Sequence, residues 1–396
     1  MEKATEIDTL IFEGEQLPLL RQERIELDAR LWAGSFNARE STMHQLAPYV
    51  GKLKSGMVRV LIEMHSRPGD VVLDPFCGAG VVPLQCGIMG RHAIANDLSP
   101  YAYAITRGKL SAPLTKQEAL HEAEDILREV ESRVDTAIID SVPDWVRRFF
   151  HPDTLKEVIT AFQVLKEHEN YFLIACLLGI LHHVRPGFLS YPASHLTPYL
   201  RLKKYPPEQF PEMYLYRDLR SRLLAKVARA YCRTGFTQLR SQMTWEVLQE
   251  NTMNLSLPTN SIDAIISSPP YFGALDYARD NRLRLWFLGV SDWKELDHSL
   301  TANNKVYLAQ MRQCLKQMDR VLKDGAHCVL VLGDVEQNGV KKNTAQIISG
   351  LAQEVSDGRL VQRLIYTDEI PDVRRSRRQT RTTKYERILI IQKLSS

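Results

Sequence analysis

The residues best placed to do chemistry are Ser267, Ser268, Pro269, Pro270 and Tyr271, which directly follow the apolar run 262–266. That run reads as a buried strand. Two prolines in succession cannot continue a hydrogen-bonded ladder, so the strand stops there. Each proline also keeps the residue before it out of the helical region, which makes a stiff corner. In open α/β sheets the carboxyl ends of the strands are where ligands bind. This corner offers a hydroxyl, carbonyls without competing N–H donors and an aromatic face. Together they suit a flat nitrogenous base with an exocyclic amine.

A second constellation lies upstream, in Asp74, Pro75, Phe76, Cys77, Gly78, Ala79 and Gly80. Residues 71–73 read as a short strand and residues 81–89 as a helix closed by Gly90. A strand, a glycine turn and a helix N-terminus form a place where backbone can approach a ligand closely. The spacing is not the G-x-G-x-x-G of dinucleotide binders, so a nicotinamide cofactor is not favoured. Asp97 ends the next strand, 92–96, where an acid in such a fold reaches ribose hydroxyls. Cys77 reads as a small filler of the loop.

These motifs resemble the S-adenosylmethionine-dependent amino-methyltransferases of DNA, the N4-cytosine/N6-adenine family. Asp74, Pro75, Phe76, Gly78 and Gly80 match that family's cofactor loop, and Ser268, Pro269, Pro270 and Tyr271 match its catalytic corner. Residues 41–52, including Tyr49, with a helix over 55–65, are similar to its amino-terminal cofactor segment. Residues 320–334 are similar to its fifth strand. The resemblance runs from about residue 41 to 392 with one long interruption. It implies a Rossmann-like methyltransferase sheet and S-adenosylmethionine as cofactor, with Asp74 at its amino-acid end and Asp97 on its ribose. Asn251 stands where the family often has an aspartate touching the cofactor adenine. Val81 and Val82 replace its usual threonines. The implied substrate is duplex DNA with a flipped base, and the implied setting is either restriction-modification with a cognate endonuclease as partner or an orphan enzyme. Serine at the first corner position points to N4 of cytosine rather than N6 of adenine. An RNA amino-methyltransferase and a non-catalytic nucleic-acid-binding relative remain as alternatives.

The elements that must position these groups read as an α/β, doubly wound sheet split by a helical insertion. Residues 1–40 form an extension, 41–110 and 243–396 the catalytic domain, and 111–242 a mainly helical insertion with a possible role in target recognition. Helical segments are expected at 117–133, 153–167, 170–183 and 211–231. Strands 359–367 and 385–392 are expected to pair antiparallel at one edge. In the insertion, Arg201, Lys203 and Lys204 stand among tyrosines, a mixture that can hold phosphates and stack on bases. A denser signal is Arg374, Arg375, Arg377, Arg378, Arg381 and Lys384, six positive charges in eleven residues with no acid among them. It reads as a loop between the last two strands that tracks a phosphate backbone. Arg282 and Arg284 lie two apart and so point to different helix faces. The pair His182 and His183 reads as helix packing, and no metal site is expected.

Composition sets the bounds. The 396 residues are 44% apolar and 25% charged, with a net charge of only +4, so any nucleic-acid surface must be local. The first ten residues hold three acids and no apolar core, unlike a signal peptide. The most apolar run, 172–181, is too short to span a bilayer. Six cysteines without C-x-x-C spacing read as reduced core residues of a cytoplasmic protein.

Overall fold

The computed structural model describes residues 27–32, 40–182, 188–192, 203–233, 238–270, 277–299, 304–337, 340–369 and 385–395. Its main elements follow the expected alternation. Helix α1 (Ser55–His65) precedes strand β1 (Val71–Asp74), helix α2 (Val81–Ile88), strand β2 (His92–Asn96) and helix α3 (Pro100–Leu110). The longer helices of the insertion among the described residues follow: α4 (Lys116–Arg133), α5 (Pro152–Glu167), α6 (Tyr171–Leu181) and α7 (Leu219–Ala230). The sheet resumes with β3 (Trp245–Leu248) and β4 (Ile262–Ser267), followed by helices α8 (Arg282–Phe287) and α9 (Asn304–Val321). It ends with β5 (Leu322–Gly333), helix α10 (Thr344–Val355), β6 (Leu360–Glu369) and β7 (Tyr385–Lys393).

The seven strands lie in the order β3-β2-β1-β4-β5-β7-β6. The first five are mutually parallel, and β7 runs antiparallel to both β5 and β6. The last two strands therefore do pair antiparallel, but the reversed strand sits one place inside the edge and β6 forms the edge. The order changes direction at β1, whose neighbours are β2 and β4. That switch point is where a doubly wound sheet opens a crevice for ligand.

Local sequence explains the element ends. Ser99 caps α3, its side chain accepting from Ala102 N, and Pro100 occupies the first turn where its missing N–H costs nothing. Thr115 and Glu118 form a capping box at the start of α4. Asn170 caps α6, accepting from Leu173 N at 2.9 Å. The expected helix over 211–231 is instead two pieces, a 3-10 turn Pro211–Tyr214 and α7. Asp218 accepts from Ser221 N at 3.2 Å and starts α7 afresh, which breaks the run.

Every residue of α6 from Phe172 to Leu181 is buried, as expected of a helix apolar on all sides. It packs on α3. Its side chains join α1, α2, α5, α7 and one sheet face (Val72, Ala93, Ala264, Val329, Ile388) in one continuous core. Helices α9 and α10 cover the other face through Leu315, Met318, Ile348 and Ala352. Part of the amino-terminal extension is also held to the sheet. Ala29 N donates to Tyr366 Oη at 2.8 Å and Trp32 Nε1 to Asp368 Oδ2 at 3.1 Å, both on β6. Among the described residues no helix is long and apolar enough to cross a membrane.

Candidate active site

A cleft with about 1210 Å³ of empty space, counting the solvent at its mouth, opens over the carboxyl ends of β1, β2, β3 and β4. From the sequence-expected residues it takes Tyr49, Asp74, Phe76, Gly78, Asp97 and Asn251, together with Ser268 and Pro270 of the corner. Pro75, Gly80 and Pro269 are not in its wall. Tyr271, Arg201 and the basic run Arg374, Arg375, Arg377, Arg378, Arg381 and Lys384 lie outside the described residues. Lys203 and Lys204 are exposed and do not line the cleft, and the Lys204 ammonium lies 5.3 Å from the Tyr205 ring centre.

The glycine loop is held from below by helix α3. Thr106 Oγ1 donates to Gly78 O at 3.2 Å, and Lys109 Nζ donates to Ala79 O and, at 3.4 Å, to His44 O. The loop carbonyls are thus turned into the protein. Gly80 has φ +65°, and a Cβ there would lie 2.6 Å from Thr106 Oγ1, so both backbone and space demand glycine. A Cβ on Gly78, at φ +44°, would meet the Tyr49 ring at 3.0 Å. Tyr49 in turn stacks on Tyr101 at 5.9 Å, and Tyr101 Oη donates to Pro48 O at 2.5 Å.

Asp97 closes this loop from the other side. Its Oδ2 accepts from Gly78 N at 2.9 Å and its Oδ1 from Ser99 N at 2.9 Å. Each oxygen keeps a further lone pair for a hydroxyl of a ligand. Burial pushes its carboxyl up to about 6, against the pull of those two N–H donors. Asp74 is buried more deeply still. Its Oδ1 accepts from Ser267 Oγ at 2.5 Å and from Phe76 N at 3.3 Å, and burial raises it to about 7. Asp74 therefore does more than border the cleft, because it ties the loop to the last residue of β4 beside the proline corner.

At that corner Ser268 Oγ donates to Val331 O of β5 at 3.0 Å. A hydroxyl has one hydrogen to give. With it committed to Val331, the oxygen can only accept from a ligand. Ser268 is thus set as a hydrogen-bond acceptor by the neighbouring strand.

Several residues in this arrangement carry no motif signal. Ser267, read from sequence as part of the corner after the strand, is instead the last residue of β4. Asn96 is fully buried and donates to Glu250 O at 3.0 Å and Thr252 Oγ1 at 3.1 Å, pinning the end of β2 to the turn after β3. Asn251 Oδ1 accepts from Met253 N at 3.0 Å and so shapes that same turn. Tyr307, Gln310, Met311 and Cys314 of α9 supply the opposite wall, which sequence reading did not anticipate. Cys77 lines the cleft with its thiol 3.6 Å from Thr106 Oγ1, and burial holds it well above the usual thiol range. Of the two arginines of α8, Arg284 is buried and donates to Leu178 O at 3.2 Å and His182 O at 2.8 Å, whereas Arg282 lies over the Trp145 ring at 5.3 Å. Among the described residues no cluster of metal-ligating groups is found.

Comparison with known proteins is consistent with this geometry. Residues 30–107 match the N6/N4 methyltransferase family model, described as DNA methylase. A 72-residue stretch is 36% identical to the type II methyltransferase M.MjaII of Methanocaldococcus jannaschii, over 18% of this chain and 14% of that protein. A longer alignment of 356 residues is 23% identical to the type II methyltransferase M.BsoBI of Geobacillus stearothermophilus, over 78% of this chain and 65% of that protein. The chain thus spans 14% and 65% of the lengths of these two curated relatives. Among solved structures, a SAM-dependent methyltransferase of Methanosarcina mazei aligns with 12% identity over 85% of this chain and 98% of its own, at a TM-score of 0.32. A score that low carries no weight, and the fold rests on the strand order.

Proposed function

We propose that this chain, a member of the N4/N6 amino-methyltransferase family, transfers a methyl group from S-adenosylmethionine to the exocyclic N4 amine of a cytosine flipped out of duplex DNA. One observation carries this reading. A single cleft joins the glycine loop and Asp97 of the amino-terminal half to the Ser268–Pro270 corner of the carboxyl-terminal half. The donors and acceptors present fit the cofactor. Asp97 has lone pairs left for ribose hydroxyls, Gly78 and the loop admit close approach, and Asp74 and Tyr49 border the end nearer the corner. Bound there, S-adenosylmethionine supplies a methyl on a positively charged sulfur, already activated toward a nucleophile.

The protein's share of the work is to prepare the amine. An exocyclic amine is a poor nucleophile because its lone pair is delocalised into the ring. Ser268 Oγ, its own hydrogen given to Val331, accepts one amine hydrogen, and the Pro269 carbonyl can accept the other. Both bonds favour a more tetrahedral nitrogen. Alignment by the stiff corner is a positioning effect that can supply several kcal/mol, up to about 7–11 kcal/mol in favourable cases. A paired base cannot present its amine, so the base must leave the stack. Tyr271 follows the corner directly and would stack on it, worth about 1–3 kcal/mol. The run Arg374 to Lys384, with Arg201, Lys203 and Lys204, would hold phosphates. Serine rather than aspartate or asparagine at position 268 favours cytosine over adenine in family terms. A cognate restriction endonuclease belongs to the same proposal.

Substituting Ser268→Ala tests the site. Turnover should fall on the order of a hundredfold, as when one aligned polar group at a reacting centre is lost. Cofactor binding, measured by calorimetry, should change little. Unaltered turnover would remove Ser268 from the mechanism.

A further inference from the structure

The strand order fixes what lies where along the cleft. From the corner at β4, the wall passes to the glycine loop after β1, Asp97 after β2, and Asn251 to Met253 after β3. A nucleoside whose ribose is held at Asp97 therefore carries its base toward the turn after β3. Two polar atoms of that turn are already engaged. Asn251 Oδ1 accepts from Met253 N, while Thr252 Oγ1 donates to Pro75 O at 2.8 Å and accepts from Asn96 Nδ2 at 3.1 Å.

Helix α9 packs against this turn. It presents Tyr307, Gln310, Met311 and Cys314 to the cleft, at the i, i+3, i+4, i+7 spacing of one helix face. Met311, Cys314 and Met253 make that end of the slot apolar and polarisable, a good surface for a flat ring. Gln310 is half-buried, and its carboxamide makes no hydrogen bond to any described residue. A carboxamide carries an acceptor beside a donor, and that pair matches the adjacent donor and acceptor of an adenine edge at N6 and N7.

We propose that Gln310 is a specificity-determining residue that reads the adenine of the bound cofactor, a contact that the resemblance gives to an aspartate where this chain has Asn251. The inference rests on the cofactor reading of the cleft. Its oxygen accepts from the exocyclic amine, and its amide nitrogen donates to a ring nitrogen. Met253 and Met311 flank the ring.

The test is calorimetry on the full chain with S-adenosylhomocysteine and S-inosylhomocysteine. The latter replaces the 6-amino donor by a carbonyl acceptor. Wild-type protein should prefer the adenine form about tenfold or more, the scale of one bidentate contact. Gln310→Ala, and Gln310→Met which keeps the length, should each weaken S-adenosylhomocysteine binding about tenfold and erase most of the preference. Either variant keeping both wild-type affinity and preference would overturn the assignment and leave the proposed function standing. Wild-type protein that bound neither compound would overturn the cofactor reading and this inference together.

Discussion

Asp97 organises the cleft before any ligand enters it, because Gly78 N and Ser99 N both donate to its carboxylate. Its raised pKa, about 6, gives a prediction. Below that pH the carboxyl takes a proton and loses acceptor capacity, so cofactor affinity should fall as pH drops from 7 to 5. Asp97→Asn should bind more weakly at neutral pH and lose that dependence. Calorimetry across the range checks both, and an equally steep profile in the variant would rule Asp97 out as the titrating group. Sequence spacing singled out Asp97, which the structure places in the cleft wall. It could not show that Ser267 braces Asp74, or that Val331 takes the hydrogen of Ser268. Those contacts are made across the sheet by residues with no motif of their own.

Helix ends carry the next level of organisation. Leu178 O and His182 O at the carboxyl end of α6 accept from the buried guanidinium of Arg284, whose centre also lies 5.5 Å from the Tyr101 ring. A cation there complements the helix dipole and satisfies carbonyls left without helical partners. One side chain thus ties the helix after the proline corner to the insertion and to the Tyr101–Tyr49 stack at the cleft. Arg284→Met should leave those carbonyls unsatisfied, at about 1–3 kcal/mol each. The melting temperature should drop by several degrees, and cofactor affinity should weaken through Tyr49. An unchanged melting temperature would contradict this role. Gly80→Ala should be destabilising as well, since φ +65° and the 2.6 Å approach to Thr106 both oppose a side chain. A variant as stable as wild type in thermal unfolding would contradict that expectation. The resemblance placed α1, and the reading of the strand before Asp97 placed β2, at their observed bounds, while the helical pattern over 211–231 missed the break before α7. That break depends on one aspartate cap inside an otherwise helical pattern.

Across the whole molecule, the sheet and insertion share a core, which follows from α6 being apolar on every face. The burial of β4 was legible as an apolar run interrupted only by Asp263. The inward place of β7 was not, since pairing order is set by tertiary packing rather than by either strand. At the far end of the core, His65 and His327 lie 4.9 Å apart, ring centre to ring centre. Burial depresses them to about 3 and about 4, from an ordinary value of 6.5. The unfolded chain therefore takes up protons below pH 6.5 that the fold refuses, and stability is lost as pH falls from there toward 4. Asp74 and Asp97, raised by burial, act in the opposite sense, and without ligand they cost stability as pH rises from about 4 toward 7. The histidine contribution is therefore isolated by difference. The melting temperature of His65→Leu relative to wild type should rise steadily between pH 7 and pH 4, and a constant difference would contradict the argument. The central claim concerns the product and is best tested there. Incubating the protein with methyl-labelled S-adenosylmethionine and duplex DNA, then digesting to nucleosides, should place label on N4-methylcytosine. Label on N6-methyladenine would contradict the target base, and label confined to RNA or absent altogether would contradict DNA amino-methyl transfer itself.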